Sequence, residues 1–293
     1  MKKSALITIA GRPNVGKSTL TNAFVGEKIS IVSNKPQTTR NRICGILTRG
    51  QTQLVFMDTP GFHKPRTKLG DYMVNIVEAS VADVDATFLM VEPIANIGPQ
   101  EEELIRQIKA SRAPAILVIN KIDTVEKDQL LEVIAVYSQA HEFHAIIPIS
   151  AKTGEGVDLL LEEAEKFAIE APHFFPADVT SDQPERQVMA EIIREKLLWC
   201  LEKEIPHGTA VEITRFTERD NGIIDMDATI YCEKASHKGI IIGKQGEMLK
   251  KISSMARVDC ERFMGTKVFL QTWVKVKENW RDSDFLIRNF GYE

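Results

Sequence analysis

The sequence predicts a doubly wound α/β sheet followed by a second, smaller α+β domain, and three observations carry that expectation. Near-continuous apolar runs alternate with helical patterns from residue 5 to about 168, as in a parallel sheet covered on both faces. Pro172, Pro176 and Pro184, interspersed with polar residues, then mark a linker. Beyond it the order changes to helix, two strands, two helices and a closing strand. The expected boundaries are 1–170 for the first domain, 171–184 for the linker and 185–293 for the second. At 293 residues the chain is long enough for two compact units, and its 43% hydrophobic and 27% charged residues are those of a globular protein rather than a disordered one.

In chain order, "ALITIAG", "TQLVFMDTPG", "ATFLMVE", "PAILVINKID" and "HAIIPISA" read as strands. Between them "KSTLTNAFVG" is helical. Leu69, Met73, Ile76 and Ser80 share one helical face, "PQEEELIRQIKA" opens with a favourable proline and an acidic first turn, and "VDLLLEEAEKFAI" is helical throughout. Only "RICGILTRG", at Arg42 to Gly50, breaks the alternation. It precedes "TQLVFMD" after a Gly-containing turn, so the pair is expected to form an antiparallel hairpin at one sheet edge.

In the second domain Met189, Ile193, Leu197 and Cys200 form a helical stripe. "TAVEITRFTER" and "IDMDATIYCEK" are strands joined by "DNG", and Leu249, Ile252, Ala256, Cys260 and Phe263 form another helix. "KVFLQTWVKVK" alternates strictly, Val268, Leu270, Val274 and Val276 against Phe269, Gln271, Trp273 and Lys275. Its order is α-β-β-α-α-β, with "GKQG" between two helical segments.

The net charge of −4 excludes a protein that is basic all over, yet His237 to Arg281 holds ten Lys/Arg against four Asp/Glu, a local +6 against −10 for the remainder. Such a patch is either a solvated helix face or a polyanion footprint. Cys44, Cys200, Cys232 and Cys260 are scattered without metal-ligand or C-x-x-C spacing, and the N-terminal apolar run is too short to span a bilayer. A reducing cytoplasm is the expected compartment.

"GRPNVGKS" fits G-x-x-x-x-G-K-[ST] and stands between a strand and a helix, where a phosphate-binding loop must stand. Gly11 and Gly16 let backbone N–H groups turn towards a β-phosphate, Lys17 reaches the β- and γ-oxygens and Ser18 offers a hydroxyl to Mg²⁺. Arg12, Pro13, Asn14, Val15 and Thr19 complete the loop. "DTPG" ends an apolar strand, so Asp58 can hold a Mg²⁺-bound water and the Gly61 N–H can approach a γ-phosphate, with Thr59 and Pro60 between them. Alone it could be merely a turn. "NKID" ends the strand "PAILVI" and places Asn120, Lys121, Ile122 and Asp123 on the same edge. A carboxylate there accepts from two adjacent donors, which guanine's N1–H and amine supply and adenine lacks. "SAK", Ser150, Ala151 and Lys152, brings the Ala151 N–H towards the guanine carbonyl oxygen.

These motifs resemble, in order, those of the translation-factor-like class of P-loop GTPases, and the resemblance covers residues 5–168. It implies that GTP is bound with Mg²⁺ and hydrolysed to GDP. Thr39 in "PQTTRNR" matches the switch threonine that meets Mg²⁺ and γ-phosphate in the GTP state, with Thr38 the other claimant. Ser18, Thr39 and Asp58 are then the metal residues, and Lys17, Thr39, Gly61 and Asn14 the expected catalytic set. One departure matters: Phe62 stands where related enzymes carry a water-orienting glutamine and cannot hydrogen-bond a water, so hydrolysis is expected to be slow without activation. The loop also resembles those of GTPases in which the residue matching Asn14 helps hold K⁺ beside the phosphates. Asn14 could equally cap the local turn.

"GKQG" lacks the Ser/Thr and the preceding strand of a nucleotide loop. "GIIIGKQGEMLKKI" resembles the KH motif, whose I-G-x-x-G loop joins two helices and clamps single-stranded nucleic acid through its backbone. The domain order matches the type II variant. The loop taken alone could also be a plain helix–turn–helix corner. The resemblance assigns RNA contacts to Lys238, Ile242, Gly243, Lys244, Gln245, Gly246, Lys250 and Lys251.

A GTPase domain with QTTR, DTPG and NKID followed by a type II KH domain is similar, over essentially the full chain, to the bacterial GTPases that assist maturation of the small ribosomal subunit. That resemblance implies binding near the 3′ end of 16S ribosomal RNA in a GTP-favoured state, a role in 16S processing and 30S assembly, and peripheral association with the cytoplasmic membrane. A monomer is expected. The alternative is a constitutive RNA-binding protein with a structural, unhydrolysed guanine nucleotide. A membrane-active GTPase is disfavoured by the lack of an amphipathic basic helix.

Overall fold

The computed structural model describes residues 1–61, 67–82 and 84–292. They divide into two compact units, the first holding 1–30, 39–61, 70–82 and 84–182, the second 31–38, 67–69 and 183–292.

The first unit is a mixed sheet with strand order β2-β3-β1-β4-β5-β6. Strands β1 (Lys3–Gly11), β3 (Thr52–Asp58), β4 (Ala86–Val91), β5 (Ala115–Ile119) and β6 (Ala145–Pro148) run parallel. Every residue of β4 and β5 is buried, as the continuous apolar runs require of central strands. Strand β2 (Ile43–Arg49) pairs antiparallel with β3 and forms the edge hairpin. On one face α1 (Lys17–Val25) and α5 (Val157–Glu165) bury Leu20, Phe24, Leu160 and Leu161 against Ile7, Ile9, Phe56 and Phe88. The rings of Phe24 and Phe56 stack at 4.3 Å. On the other face α3 (Pro99–Ser111) and α4 (Lys127–Ala140) bury Leu104, Ile108, Val133 and Tyr137 against Leu89, Val91, Leu117 and Ile119. Each such side chain contributes about 1.5–3 kcal/mol of apolar burial. Helix α2 (Lys68–Ala82) carries Leu69, Met73, Ile76 and Ser80 as expected.

Two elements differ from the sequence expectation. Helix α4 is absent from the sequence pattern above, although a reciprocal capping box between Glu126 and Gln129 starts it. Helix α5 stops at Glu165 instead of running to Ile169, and Ile169–Glu170 form a short strand, β7, antiparallel to Lys3 and Ser4. The reason lies in β1, whose pairing with β4 begins only at Ile7 and leaves the flank of Lys3 and Ser4 open for β7.

In the second unit α6 (Glu185–Cys200) is followed by β8 (Ala210–Glu218), β9 (Ile224–Cys232), α7 (Ala235–Ile242), α8 (Glu247–Met264) and β10 (Val268–Val276). Strand β9 lies between β8, antiparallel, and β10, parallel. Helices α6 and α8 bury Ile193, Leu197, Ile252, Ala256 and Cys260 against Met226, Ala228, Ile230, Val268 and Val274. The alternation in β10 holds, with Val268 and Val274 buried and Phe269 and Trp273 exposed. A short α9 (Asp284–Asn289) follows a turn in which fully buried Trp280 donates from Nε1 to the Gly208 carbonyl at 2.9 Å. Residues 31–38 run along α6. The Val32 N–H donates to Glu195 Oε1 at 2.8 Å, Trp199 Nε1 donates to the Val32 carbonyl at 3.0 Å, and Arg194 donates to the Thr38 carbonyl.

Candidate functional site

The strand order places the nucleotide motifs. From β1 the chain goes to β3 on one side and to β4 and β5 on the other, so the C-terminal end of β1 is the crevice where α/β sheets bind ligands. Gly11 ends β1, Asp58 ends β3, and Asn120 follows β5. Gly16 has φ of +106°, and a Cβ there would come within 2.2 Å of Asn120 Nδ2, so glycine alone lets these two loops close. Asn120 uses both ends of its amide, donating to the Val15 carbonyl at 2.7 Å and accepting from the Ala151 N–H at 2.9 Å. The phosphate loop, NKID and SAK are thus braced by one side chain.

Lys17 is buried, and its ammonium donates to the carbonyls of Gly11 at 3.1 Å and Arg12 at 2.9 Å. Burial pushes its pKa down to about 8, against the pull of Asp58. Ser18 Oγ and Thr39 Oγ1 are 2.9 Å apart. Asp58 is fully buried, which raises its pKa in spite of Lys17, Ser18 and Ser30. Ser30 Oγ donates to its Oδ2 at 2.8 Å, while Oδ1 is buried with no hydrogen-bond partner. An orphaned carboxylate oxygen in a set of hydroxyls and carboxylate fits a hard divalent cation, and Ser18, Thr39 and Asp58 are the residues that would hold Mg²⁺. When bound, Mg²⁺ neutralises charge on the β- and γ-phosphate oxygens. Lys17 would supply a charge at the same oxygens, and the loop N–H groups would hold the phosphates in place. Of the two threonines, Thr38 has its hydroxyl on the Lys35 carbonyl at 2.7 Å.

Thr59 Oγ1 donates to the Ile9 carbonyl at 2.9 Å, which ties DTPG to β1. Gly61 packs on Pro13, where a Cβ would lie 2.6 Å from its Cα. Pro60 is buried. Phe62 lies outside the described residues, and so does its expected effect on the water. Asn14 adopts a left-handed φ of 65°.

At the base end Ser150 Oγ donates to Asp123 Oδ1 at 2.7 Å. The Ile122 N–H donates to the Ile149 carbonyl at 3.2 Å, Lys121 has φ of 66°, and Lys152 is exposed. Two acidic residues that the sequence reading missed join this edge. Glu92, immediately after β4, pairs with Lys121 and lies 3.5 Å from Arg12, and Arg12 also pairs with buried Glu101 in the first turn of α3. Glu92 follows its strand as Asn120 follows β5, at the same strand ends where Asp58 closes β3, and that position is the available signal.

The second loop lies in the second unit. Helix α7 ends at Ile242, Gly243, Gln245 and Gly246 all have positive φ, and α8 begins at Glu247. At Gly243 a Cβ would lie 2.6 Å from Met248 Cβ, so the tight corner admits only glycine. At Gly246 nothing lies within 4 Å, and the backbone is open to a ligand. Lys244, Gln245, Lys250 and Lys251 are exposed, with Lys238 and Ile242 half-buried beside them. Among the described residues no group of His, Cys, Asp and Glu forms a further metal site, and no helix is long and apolar enough to cross a membrane.

Comparison with known proteins agrees with both halves. Residues 6–121 match the family described as 50S ribosome-binding GTPase, and residues 204–281 match the KH domain family. The chain is 53% identical to the GTPase Era of Ruminiclostridium cellulolyticum, covering 99% of this chain and 98% of that one. It is 51% identical to the GTPase Era of Clostridium kluyveri over 100% of both. Its structure is similar to a crystal structure of Era in complex with MgGDPNP and nucleotides 1506–1542 of 16S ribosomal RNA, with a TM-score of 0.95 and 37% identity over 100% of this chain and 99% of that one. A tyrosine-to-alanine variant of Aquifex aeolicus Era bound to GDP·AlF4⁻ superimposes with a TM-score of 0.94 and 37% identity over 99% of both chains. A nucleotide loop on a doubly wound sheet, a G-x-x-G corner on a three-stranded KH fold and this full-length identity together show that the chain belongs to the Era family of GTPases.

Proposed function

We propose that this GTPase uses its nucleotide cycle to time its hold on the 3′ region of 16S ribosomal RNA during assembly of the 30S subunit, with GTP favouring the RNA-bound state. The observation that carries the reading is the corner at Gly243–Gly246. Its backbone is open at Gly246 and exposed Lys244, Lys250 and Lys251 flank it in the sequence, on a chain whose relative is seen in complex with 16S nucleotides 1506–1542. The RNA-contacting residues are Lys238, Ile242, Gly243, Lys244, Gln245, Gly246, Lys250 and Lys251. The domain boundaries are 1–170 and 185–293, and the loops at Gly11–Thr19, Asp58–Gly61, Asn120–Asp123 and Ser150–Lys152 hold the nucleotide. K⁺ beside Asn14 takes part of the place of the missing glutamine. The cytoplasmic compartment, a monomeric state and a peripheral association with the membrane belong to the same proposal through the family.

Multiple-turnover phosphate release with and without a 16S 3′-end RNA tests this reading. Turnover that responds to the RNA supports it; a nucleotide that stays bound and intact through many equivalents of GTP would instead favour a constitutive RNA-binding protein.

A further inference from the structure

The sheet order puts β4 between β1 and β5, so the residue that follows β4 stands midway between the phosphate loop after β1 and the NKID loop after β5. That residue is Glu92. Its Oε1 pairs with the Lys121 ammonium and its Oε2 lies 3.5 Å from Arg12 Nη2. Arg12 is held from the other side by Glu101, whose side chain is only 3% exposed and sits in the first turn of α3. Two cations and two carboxylates therefore alternate across the mouth of the site: Lys121, Glu92, Arg12, Glu101. Both cations belong to nucleotide motifs and both carboxylates come from outside them. The Arg12 carbonyl also accepts from Lys17, so whatever fixes Arg12 fixes part of the phosphate cradle. Lys121 has a positive φ that a lysine adopts at some cost, and an anchor on its ammonium offsets that cost.

We propose that Glu92 is a positioning residue that holds the phosphate loop and the guanine loop in one arrangement, and thereby sets how long the nucleotide stays bound. It does so without touching the nucleotide. Asn120 braces the same two loops through the backbone of Val15, and Glu92 braces them through side-chain charge nearer the solvent. Because the side chains of Glu92, Arg12 and Lys121 are 28–35% exposed, the network adds little to folding stability, and its effect belongs to preorganisation of the site. The proposal rests on the assignment of Lys121 and Asp123 to the guanine.

The test is stopped-flow dissociation of a fluorescent GDP analogue from the full-length chain, with thermal unfolding of the nucleotide-free protein in parallel. Glu92→Gln is expected to speed GDP dissociation about fivefold, the scale of one half-exposed ion pair within a network, and to leave the unfolding midpoint unchanged. Combined with Lys121→Met, it should add less than it does alone, because Glu92 acts through that lysine. Asp123→Asn tests the assignment itself. If Asp123→Asn weakens binding while Glu92→Gln releases GDP at the parent rate, the guanine assignment stands and the role of Glu92 is overturned. If Asp123→Asn changes nothing, the assignment fails and the proposal falls with it. Fully additive effects of Glu92→Gln and Lys121→Met, or a lowered unfolding midpoint that accounts for the faster release, also overturn it.

Discussion

Ser150 Oγ donates a 2.7 Å hydrogen bond to Asp123 Oδ1, so the carboxylate assigned to the guanine is oriented by the first residue of the SAK loop. Asp123→Asn should weaken GTP binding by about 2–4 kcal/mol, from the loss of one or two charge-assisted bonds and a mismatched amine. Xanthosine triphosphate should recover much of the loss, because xanthine offers the amide a carbonyl acceptor. Competition binding with both nucleotides checks this, and unchanged GTP affinity in the variant rejects the role of Asp123.

Burial lowers Lys17 to about 8, so the loop lysine of the free protein loses its proton near that pH. Phosphate binding requires the ammonium, and the apparent GTP affinity should therefore fall as pH rises from about 7 to about 9, with proton uptake on binding near pH 8. For folding the sign is opposite. Between about 8 and the ordinary lysine value the unfolded chain binds more protons, so this group makes the protein more stable as pH rises. Calorimetry at pH 8 in two buffers of different ionisation enthalpy measures the uptake; identical heats in both would contradict it.

Replacing K⁺ by Na⁺ at fixed ionic strength should slow phosphate release about tenfold, equivalent to roughly 1.4 kcal/mol on the barrier. Asn14→Ala should abolish the difference between the salts. Equal rates in the two salts for the parent chain would reject a K⁺ role for this loop.

Lys196 is 2% exposed and pairs with Glu195 at 2.7 Å and Asp259 at 2.5 Å, with its ammonium 3.6 Å from the centre of the Trp199 ring. Lys196→Met should destabilise the KH unit by about 3 kcal/mol, since it removes the buried cation shared by buried Glu195 and half-buried Asp259. Denaturant unfolding followed by the fluorescence of the tryptophans, all three of which lie in this unit, reads the change. A loss under about 1 kcal/mol would show that the pair contributes little.

Much of this architecture is legible in the sequence because its elements obey simple rules. The continuous apolar runs of β4 and β5, too short for helices of their own, suit central strands, and the alternation of β10 places Val268 and Val274 inward. The nucleotide loops follow their strands, so position and chemistry agree at Gly11, Asp58 and Asn120. Helix α4 does not show in the sequence because only Val133 and Tyr137 on it are fully buried, too sparse a stripe to stand out. The end of α5 depends on an open flank of β1, which is a tertiary fact. Glu92 and Glu101 lie outside every motif, and their pairing with Lys121 and Arg12 depends on strand order rather than on local sequence.

A phosphate-binding loop and a separate RNA clamp are expected to act from two units of one chain. The most direct measurement is the binding of Gly246→Asp to a short single-stranded RNA from the 3′ end of 16S ribosomal RNA, titrated in salt, with GTP affinity measured on the same preparation. Gly246 has φ of +82° and open space around it, so the aspartate adds a negative charge where phosphates would pass, at some backbone cost. Gly246→Asp should lose much of its RNA affinity with GTP binding retained, and Lys244→Ala should show a salt slope reduced by about 0.7 per phosphate contact. RNA binding equal to the parent's, or loss of GTP and RNA together, would contradict it.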